Sequence, residues 1–293
     1  MGLDIQSIRF HCWLKTRGIS FKRVAMLGRQ NFQNIDARRL ARVIRRSGLS
    51  ISDETARNIF KDEDGYVEPF YKWLGAESIE SFDVSKYENA TNLWDMNKPL
   101  PEVFRNSYDF VFDGGTLEHV FQYNSALREA LTLCCQRGNF LSVTPANSYL
   151  GHGFYQLSPD LAFQALRPEN GYITKGVFLA EDRSNACFHE VKPPEERGRA
   201  IAATTWPTLM FFWGQRLSDV PAILSAQQPD YEAAWQCGKH VERNGNEASY
   251  RRFLSIFAPH IRNDLLRYAK LFLTVLHSNA LLDRKSFIPR KDI

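Results

Sequence analysis

The chain has 293 residues, of which 44% are hydrophobic and 24% are charged, the balance of a globular protein. This length allows one large α/β domain with additions, or two small domains. The formal net charge of +4 is small for the length and gives nucleic-acid binding no support, because such proteins concentrate basic residues in a stripe. The longest apolar runs are shorter than the 18 or so residues of a membrane span.

The cysteines and the first residues bear on the cellular compartment. The five cysteines are odd in number and scattered, which favours a reducing cytoplasm over a disulfide framework. Charges interrupt the apolar stretches of the N-terminal segment, so we expect no signal peptide. Together these features predict a cytoplasmic protein.

The first half of the chain alternates short apolar runs with helical patterns, the order typical of parallel strands joined by crossover helices. We predict strands over residues 23–27, 78–82, 91–94, 108–112 and 139–143, and helices over residues 36–47 and 125–135. Gly138 is expected to end the second helix and Pro145 the fifth strand. Residues 48–76 are read as an insertion between the first two strands.

Beyond Pro145 the pattern changes. Strands are predicted over residues 177–180, 199–205 and 208–213, and these would add an antiparallel edge to a mostly parallel sheet. The tail is predicted to be helical, with an amphipathic stretch over residues 261–277. The predicted organisation is therefore an α/β domain over residues 1–220 and a helical C-terminal extension over residues 221–293.

One helix concentrates basic side chains at helical spacing: Arg38, Arg39, Arg42, Arg45 and Arg46. A solvated helix face is the favoured interpretation. The alternatives are a patch for an anionic substrate or a phosphate-bearing carrier, and a nucleic-acid methyltransferase, against which the modest net charge weighs.

The segment from residue 109 to 145 resembles the core of the class I S-adenosylmethionine-dependent methyltransferases. The resemblance lies in the Leu117-Glu118-His119-Val120 stretch, in the helix that contains Ala126-Leu127-Arg128-Glu129, and in the Arg137-Gly138 turn. Phe82-Asp83-Val84-Ser85 and Trp94-Asp95 resemble the family's second and third strand ends, so the match spans roughly residues 20–215. It implies a Rossmann-like sheet with helices on both faces, and S-adenosylmethionine as cofactor.

The resemblance also implies cofactor-binding positions at the carboxyl ends of the strands, where ligands bind in open α/β sheets. Asp83 would accept hydrogen bonds from the ribose hydroxyls, and Asp95 would meet the adenine amino group. Val84, Met96, Asp113 and Gly114 are the remaining positions assigned to the cofactor at these strand ends. The alternative for each aspartate is a helix cap or turn residue.

The turn after the first strand departs from the family, which usually carries several glycines there. Gly28 is retained, and Arg29, Gln30, Asn31 and Phe32 follow it. Glycine at such a turn permits positive φ and leaves room for the methionine end of the cofactor. Two interpretations stay open: Arg29 pairs with the cofactor carboxylate, with Gln30 beside it, or the pocket is blocked.

Methyl transfer to oxygen needs a positioned acceptor and a base for its hydroxyl proton. His152 is the preferred base, because it lies between glycines after the fifth strand, and His119 is the second candidate. Phe154 and Tyr155 would stack on a sugar or another ring. For both histidines the alternative is a structural role in a turn or helix start.

We predict that the protein binds no metal ion, and we keep one alternative set of metal ligands. Glu118, His119 and His152 offer one carboxylate and two imidazoles, a reasonable ligand set. Some methyltransferases that act on ribose or catechol-like hydroxyls have acidic and histidine ligands at a similar place. The chain departs from that pattern at Gly115, one helical turn before Glu118, where the carboxylate is missing.

The leading functional hypothesis is an O-methyltransferase for a sugar, a glycan or another hydroxylated small molecule. The loop GHGFYQLSPDL resembles loops of methyltransferase-like proteins associated with cell-surface glycans, an association rather than a mechanism. The alternative is a non-catalytic binding protein that keeps the fold, with the helical tail as a surface for self-association or for a partner.

Overall fold

The computed structural model describes residues 2–60, 65–197, 204, 206–228, 232 and 287–293. Its helices are α1 (Ile5–Thr16), α2 (Ala37–Arg46), α3 (Asp53–Ile59), α4 (Glu68–Leu74), α5 (Tyr123–Leu133), α6 (Pro159–Ala165) and α7 (Pro194–Arg197). Its strands are β1 (Arg23–Leu27), β2 (Ser78–Asp83), β3 (Asn92–Leu93), β4 (Tyr108–Asp113), β5 (Cys134–Asn147), β6 (Tyr172–Glu181), β7 (Phe188–Val191), β8 (Thr208–Arg216) and β9 (Phe287–Arg290). Short 3₁₀ turns occur at Glu102–Phe104, Leu117–His119 and Pro168–Asn170.

The strands form one mixed sheet in the order β3-β2-β1-β4-β5-β8-β6-β7-β9. The five strands from β3 to β5 are parallel, and the pairings from β5 through β8, β6 and β7 to β9 are antiparallel. The predicted α/β class, with a mostly parallel sheet and antiparallel strands added to it, is confirmed. Strand β8, which begins the antiparallel part, lies inside the sheet between β5 and β6.

Side chains along each strand alternate between the two faces of the sheet, so both faces are apolar. Helices cover each face and form a core with it. Val24 and Met26 of β1 pack in one core with side chains from α1, α2, α3 and α4. Ala25 and Leu27 face the other core, which contains side chains from α5 and α6. The region predicted as an insertion thus contributes two helices, α3 and α4, to the first core.

The start of β5 differs from the prediction. Residues 134 and 135 belong to the strand rather than to the preceding helix, and the register with β4 jumps from Cys134 to Asn139. This jump is a bulge, in which Arg137 has φ +65°. A Cβ at Gly138 would lie 2.8 Å from the Tyr108 carbonyl oxygen, so Gly138 serves the bulge and does not end a helix. At its other end β5 continues past Pro145 to Asn147.

The end of the chain also differs from the predicted helical extension. Residues 287–290 form β9, which pairs with β7, and the Phe287 side chain is buried. Pro289 is tolerated there because β9 is the last strand of the sheet. The predicted strand over residues 199–205 and the amphipathic helix over residues 261–277 lie outside the described residues, apart from Thr204. Within the described residues, no helix has the length and apolar character needed to cross a membrane.

Helix α1 is anchored to the antiparallel half of the sheet by Phe10. This fully buried ring lies 5.1–5.7 Å, centroid to centroid, from four other aromatic rings: those of Trp13, Phe178, Phe188 and Phe211. The aromatic cluster therefore packs α1 against β6, β7 and β8.

We predict that Phe10→Ala lowers the free energy of unfolding by about 3–5 kcal/mol, because it leaves a cavity among the rings. Phe121→Ala is the matched control, since the Phe121 side chain is 65% exposed, and it should change stability by about 0.5 kcal/mol or less. Urea denaturation of both variants checks this. Equal losses would contradict the anchoring role of Phe10.

Candidate functional site

Asp113, the last residue of β4, organises the loop that follows it. Its Oδ1 accepts hydrogen bonds from the backbone N–H groups of Thr116 and Leu117, at 2.9 and 3.2 Å, and its Oδ2 accepts one from Ser142 Oγ of β5 at 2.7 Å. The carboxyl group is fully buried, and this burial raises its pKa. Asp113 therefore stabilises the 3₁₀ turn that follows β4, and its contact with a cofactor stays a prediction.

This 3₁₀ turn presents Glu118 and His119, and the loop after β5 brings His152 to them. Glu118 Oε1 lies 3.7 Å from His152 Nε2 and 4.0 Å from His119 Nε2. One candidate ligand atom from each of the three residues lies within 4.8 Å of the other two. The structure thus brings together the two histidines predicted for chemistry and the carboxylate of the alternative metal set.

The electrostatics of this cluster are those of a desolvated carboxyl group between two neutral imidazoles. Burial, followed by the nearby Asp113 carboxylate, raises the pKa of Glu118 to about 8. Burial lowers the pKa of His152, and burial together with the His152 ring lowers the pKa of His119. No well-formed hydrogen bond reaches either Glu118 carboxylate oxygen, although the nearby Thr144 hydroxyl group opposes the rise in the Glu118 pKa, and His152 Nε2 has no hydrogen-bond partner either.

Gly153 makes the close approach of the two segments possible. It has φ +70°, and a Cβ on it would lie 2.9 Å from both Cγ and the carbonyl oxygen of Glu118. The backbone N–H of Phe154 donates to that same carbonyl oxygen at 2.8 Å. An L side chain at position 153 would therefore separate His152 from Glu118.

The two aromatic residues predicted to contact substrate lie beside this loop. The Phe154 ring is 66% exposed, next to Phe121. Tyr155 donates its hydroxyl proton to the Phe121 carbonyl oxygen at 2.7 Å and packs against Tyr123. Phe154 thus offers a free ring face for stacking, whereas Tyr155 is engaged within the protein.

The turn after β1 is filled by its own side chain. Gln30 is 2% exposed, and its Nε2 donates to the Leu27 carbonyl oxygen at 2.6 Å and to Thr116 Oγ1 at 3.3 Å. Gly28 has φ +69°, as the turn requires. A Cβ on Gly114 would lie 2.5 Å from Gln30 Oε1, so Gly114 makes room for this amide. The Gln30 side chain thus fills the space enclosed by Gly28, Gly114 and Thr116.

Arg29 is committed to contacts within the protein. Its Nε donates to Glu68 Oε1 at 2.7 Å, one Nη donates to the Glu88 carbonyl oxygen at 3.1 Å, and its Cζ lies 3.6 Å from the centroid of the Tyr66 ring. The proposed pairing of Arg29 with a cofactor carboxylate would have to displace these contacts. The guanidinium group serves to fix the turn against α4.

The ends of β2 and β3 differ from each other. Asp83 is half-buried at the end of β2, where its Oδ1 accepts a hydrogen bond from Ser85 N at 3.1 Å, and the following Val84 is 69% exposed. Asp95 Oδ1 accepts from both Asn97 N and Asn97 Nδ2, and Oδ2 faces Lys98 Nζ at 3.3 Å. These contacts lower the pKa of Asp95, the Asn97 backbone N–H most of all.

Asp95 thus behaves as a turn residue, as the alternative interpretation had it. Met96 is buried in the second core, with Trp94 and Leu100, and presents no open surface to a ligand. Asp83 and the exposed Val84 remain the better placed of the predicted adenosine contacts.

A cavity of about 310 Å³, which no local sequence pattern reveals, lies at the same edge of the sheet beside Gly114. Its lining includes Asp4, Tyr149 and Asp182. Tyr149 donates its hydroxyl proton to Asp182 Oδ2 at 2.8 Å, and the buried Asp4 Oδ2 has no hydrogen-bond partner. Asp182 directly follows β6, so the rule that ligands bind at strand ends pointed to it, whereas Asp4 carries only a helix-cap signal.

No protein-family model matches the sequence, and no curated protein matches it. The comparison with solved structures finds methyltransferases. A 1,6-didemethyltoxoflavin-N1-methyltransferase from Burkholderia thailandensis, with bound S-adenosylhomocysteine, is 9% identical; the match covers 72% of this chain and 78% of that one, with a TM-score of 0.39.

Two further solved structures are similar to the chain. An S-adenosylmethionine-dependent methyltransferase from Mesorhizobium loti is 12% identical, over 70% of this chain and 98% of that one, with a TM-score of 0.39. The N-methyltransferase NodS from Bradyrhizobium japonicum is 6% identical, over 73% and 96%, with a TM-score of 0.37. Likenesses of this size carry no argument about cofactor or substrate.

We predict that Asp113→Ala lowers the free energy of unfolding by about 3 kcal/mol, because two backbone N–H groups and one hydroxyl lose their buried acceptor. Ser142→Ala removes only one of these bonds and should cost about 1 kcal/mol. Chemical denaturation of both variants measures the difference. Equal costs would show that the N–H bonds to the 3₁₀ turn contribute nothing.

Proposed function

We propose that the chain is an S-adenosylmethionine-dependent methyltransferase whose acceptor is a hydroxyl group on a sugar, a glycan or another hydroxylated small molecule. The observation that carries this proposal is the cluster of Glu118, His119 and His152 at the carboxyl end of β4. It stands at the edge of the sheet where ligands of open α/β folds bind, and it adjoins the turn after β1 through Thr116.

The residues at this edge fit the adenosine half of the cofactor better than the methionine half. The half-buried carboxylate of Asp83 would accept hydrogen bonds from the two ribose hydroxyls, and Val84 would cover the base. At the methionine end, Gln30 Oε1 is a buried acceptor without a partner. It would meet the cofactor's ammonium group once the amide turns out of its present position. When bound, the cofactor supplies a methyl group activated by the positive charge on sulfur.

The acceptor would approach the cluster from the side of His119, whose side chain is about half exposed (48%). The exposed ring of Phe154 would stack against the acceptor and help to orient its hydroxyl group. His152 Nε2, with no partner inside the protein, is the predicted atom for holding the hydroxyl proton, and His119 is the second. Sugar or glycan as the acceptor class rests on the resemblance of the loop alone.

Calorimetry with S-adenosylhomocysteine tests the cofactor step. We predict binding to the full chain and a loss of about tenfold or more for Asp83→Asn, because the charged acceptor for the ribose hydroxyls is replaced by an amide. Asp53→Asn is the control, since Asp53 forms only an exposed ion pair with Arg45. Absence of binding at millimolar ligand would reject the enzyme.

A second candidate function, a binding protein that keeps the fold without catalysis, is favoured by the filled turn after β1. Gln30→Gly separates the two. If the cofactor binds, opening the turn should tighten binding about fivefold, because the bound state no longer breaks the Gln30 bond to the Leu27 carbonyl oxygen.

Gln136→Gly, at an exposed glutamine in the β5 bulge, is the matched control and should leave the affinity unchanged. The binding protein predicts no cofactor binding in the wild type, in Gln30→Gly or in the control. The same calorimetric titration reads out all three proteins.

A further inference from the structure

Glu118 is in an arrangement that a folded protein without a ligand disfavours. Its side chain is fully buried, and neither of its carboxylate oxygens has a hydrogen-bond partner. Burial of a carboxyl group without a hydrogen-bond partner destabilises the folded state, so such a group in a native structure calls for an explanation, of which a bound ion is one. The neighbouring His152 Nε2 is a second buried atom without a partner.

The distances within the cluster suit an ion better than hydrogen bonds. Separations of 3.7 and 4.0 Å between Glu118 Oε1 and the two Nε2 atoms exceed hydrogen-bond length. Metal bonds to imidazole and carboxylate are about 2.0–2.2 Å long, so one ion joins atoms up to about twice that distance apart. Small side-chain rotations would bring all three ligand atoms to one ion.

We propose that Glu118, His119 and His152 bind one divalent transition-metal ion. Two imidazoles and one carboxylate favour zinc, iron(II), cobalt or nickel over magnesium and calcium, which prefer oxygen ligands. Three protein ligands leave coordination positions open, which is the composition of a catalytic rather than a structural site.

The segments around the cluster hold it in place before any ion binds. Asp113 fixes the turn that carries Glu118 and His119, and Gly153 allows the loop with His152 to dock on that turn. A preformed site loses less conformational entropy on binding than a flexible one. His119 is about half exposed and gives an ion access from solvent.

This inference deepens the proposed function and gives the cluster a sharper role. With an ion bound, Glu118, His119 and His152 would act as its ligands, and the ion would lower the pKa of the acceptor's hydroxyl group. The hydroxyl proton would then pass to solvent water at the half-exposed side of His119 rather than to His152. That consequence rests on the proposed methyl transfer. The binding of the ion does not, so it is measured without cofactor or acceptor.

The test is a titration of the full chain, purified without a histidine tag and treated with a chelator, with Zn²⁺ and with Co²⁺. We expect one equivalent of each to bind by calorimetry, Co²⁺ to develop visible absorption bands, and the melting temperature to rise with Zn²⁺. Mg²⁺ should bind at least about 100-fold more weakly, because magnesium disfavours imidazole ligands.

Glu118→Gln and His152→Asn should each weaken Zn²⁺ binding at least about 100-fold, because each removes a direct ligand. His189→Asn, which changes a half-buried histidine in β7, is the matched control and should leave binding unchanged. Without metal, Glu118→Gln should melt no lower than the wild type, since the amide has nearly the same shape and replaces a buried carboxyl group whose oxygens have no hydrogen-bond partner. An unchanged melting temperature shows that the variant is folded.

The proposal is overturned if the wild type binds no stoichiometric Zn²⁺ or Co²⁺, or if the folded Glu118→Gln protein binds Zn²⁺ as tightly as the wild type. Neither result would bear on the binding of S-adenosylhomocysteine, which is measured separately. Conversely, a protein that binds Zn²⁺ at this cluster but no S-adenosylhomocysteine would retain the metal site and lose the methyltransferase.

Discussion

The hydrogen bonds of the buried Asp113 carboxylate are the constraint on which the candidate site depends. They join the end of β4 to β5 and turn the chain into the 3₁₀ segment that carries Glu118 and His119. Because the carboxylate meets three donors, its burial is compensated, whereas that of Glu118 is not. The Asp113 carboxyl group therefore stabilises the fold, whereas the Glu118 carboxyl group has no such hydrogen bonds within the described residues.

The same loop also controls the turn after β1. Thr116 donates its hydroxyl proton to the Leu27 carbonyl oxygen and accepts a hydrogen bond from Gln30, so the two strand-end turns are locked together. A ligand that displaces the Gln30 side chain would break its hydrogen bond to Thr116. Thr116 directly precedes the 3₁₀ turn that contains Glu118. Under the proposed function, this contact is the route by which a cofactor bound at Gln30 would affect an acceptor bound at Glu118.

Much of the fold could be predicted from the sequence where local signals decide. Strands β1, β2 and β4 were located closely, because buried apolar runs there end at Gly28, Asp83 and Asp113. The proximity of Glu118, His119 and His152 was accessible too, since both segments follow neighbouring strands. The bulge at Gly138 and the edge strand β9 could not be predicted, because each depends on a partner strand that is distant in sequence.

In the turn after β1, too, contacts with residues distant in sequence could not be predicted. Whether Arg29 is free or committed depends on Glu68 and Tyr66, about 40 residues away, and no local pattern reveals that contact. The two predicted aspartates also differ in their surroundings. Asp83 has a half-buried carboxylate at the end of β2, whereas the carboxylate of Asp95 accepts hydrogen bonds from Asn97 in its own turn. Residue type at a strand end predicts what a side chain can bind, and the neighbouring residues decide whether it is available.

The proposed methyltransferase and metal site both require that the edge of the sheet between Asp83 and Glu118 binds ligands. A crystal structure of the chain with S-adenosylhomocysteine and Zn²⁺, with anomalous data at the zinc edge, tests it most directly. We expect an anomalous peak between Glu118, His119 and His152, and a ribose within hydrogen-bond distance of Asp83. No peak, no nucleoside and a Glu118 still without a partner would contradict it.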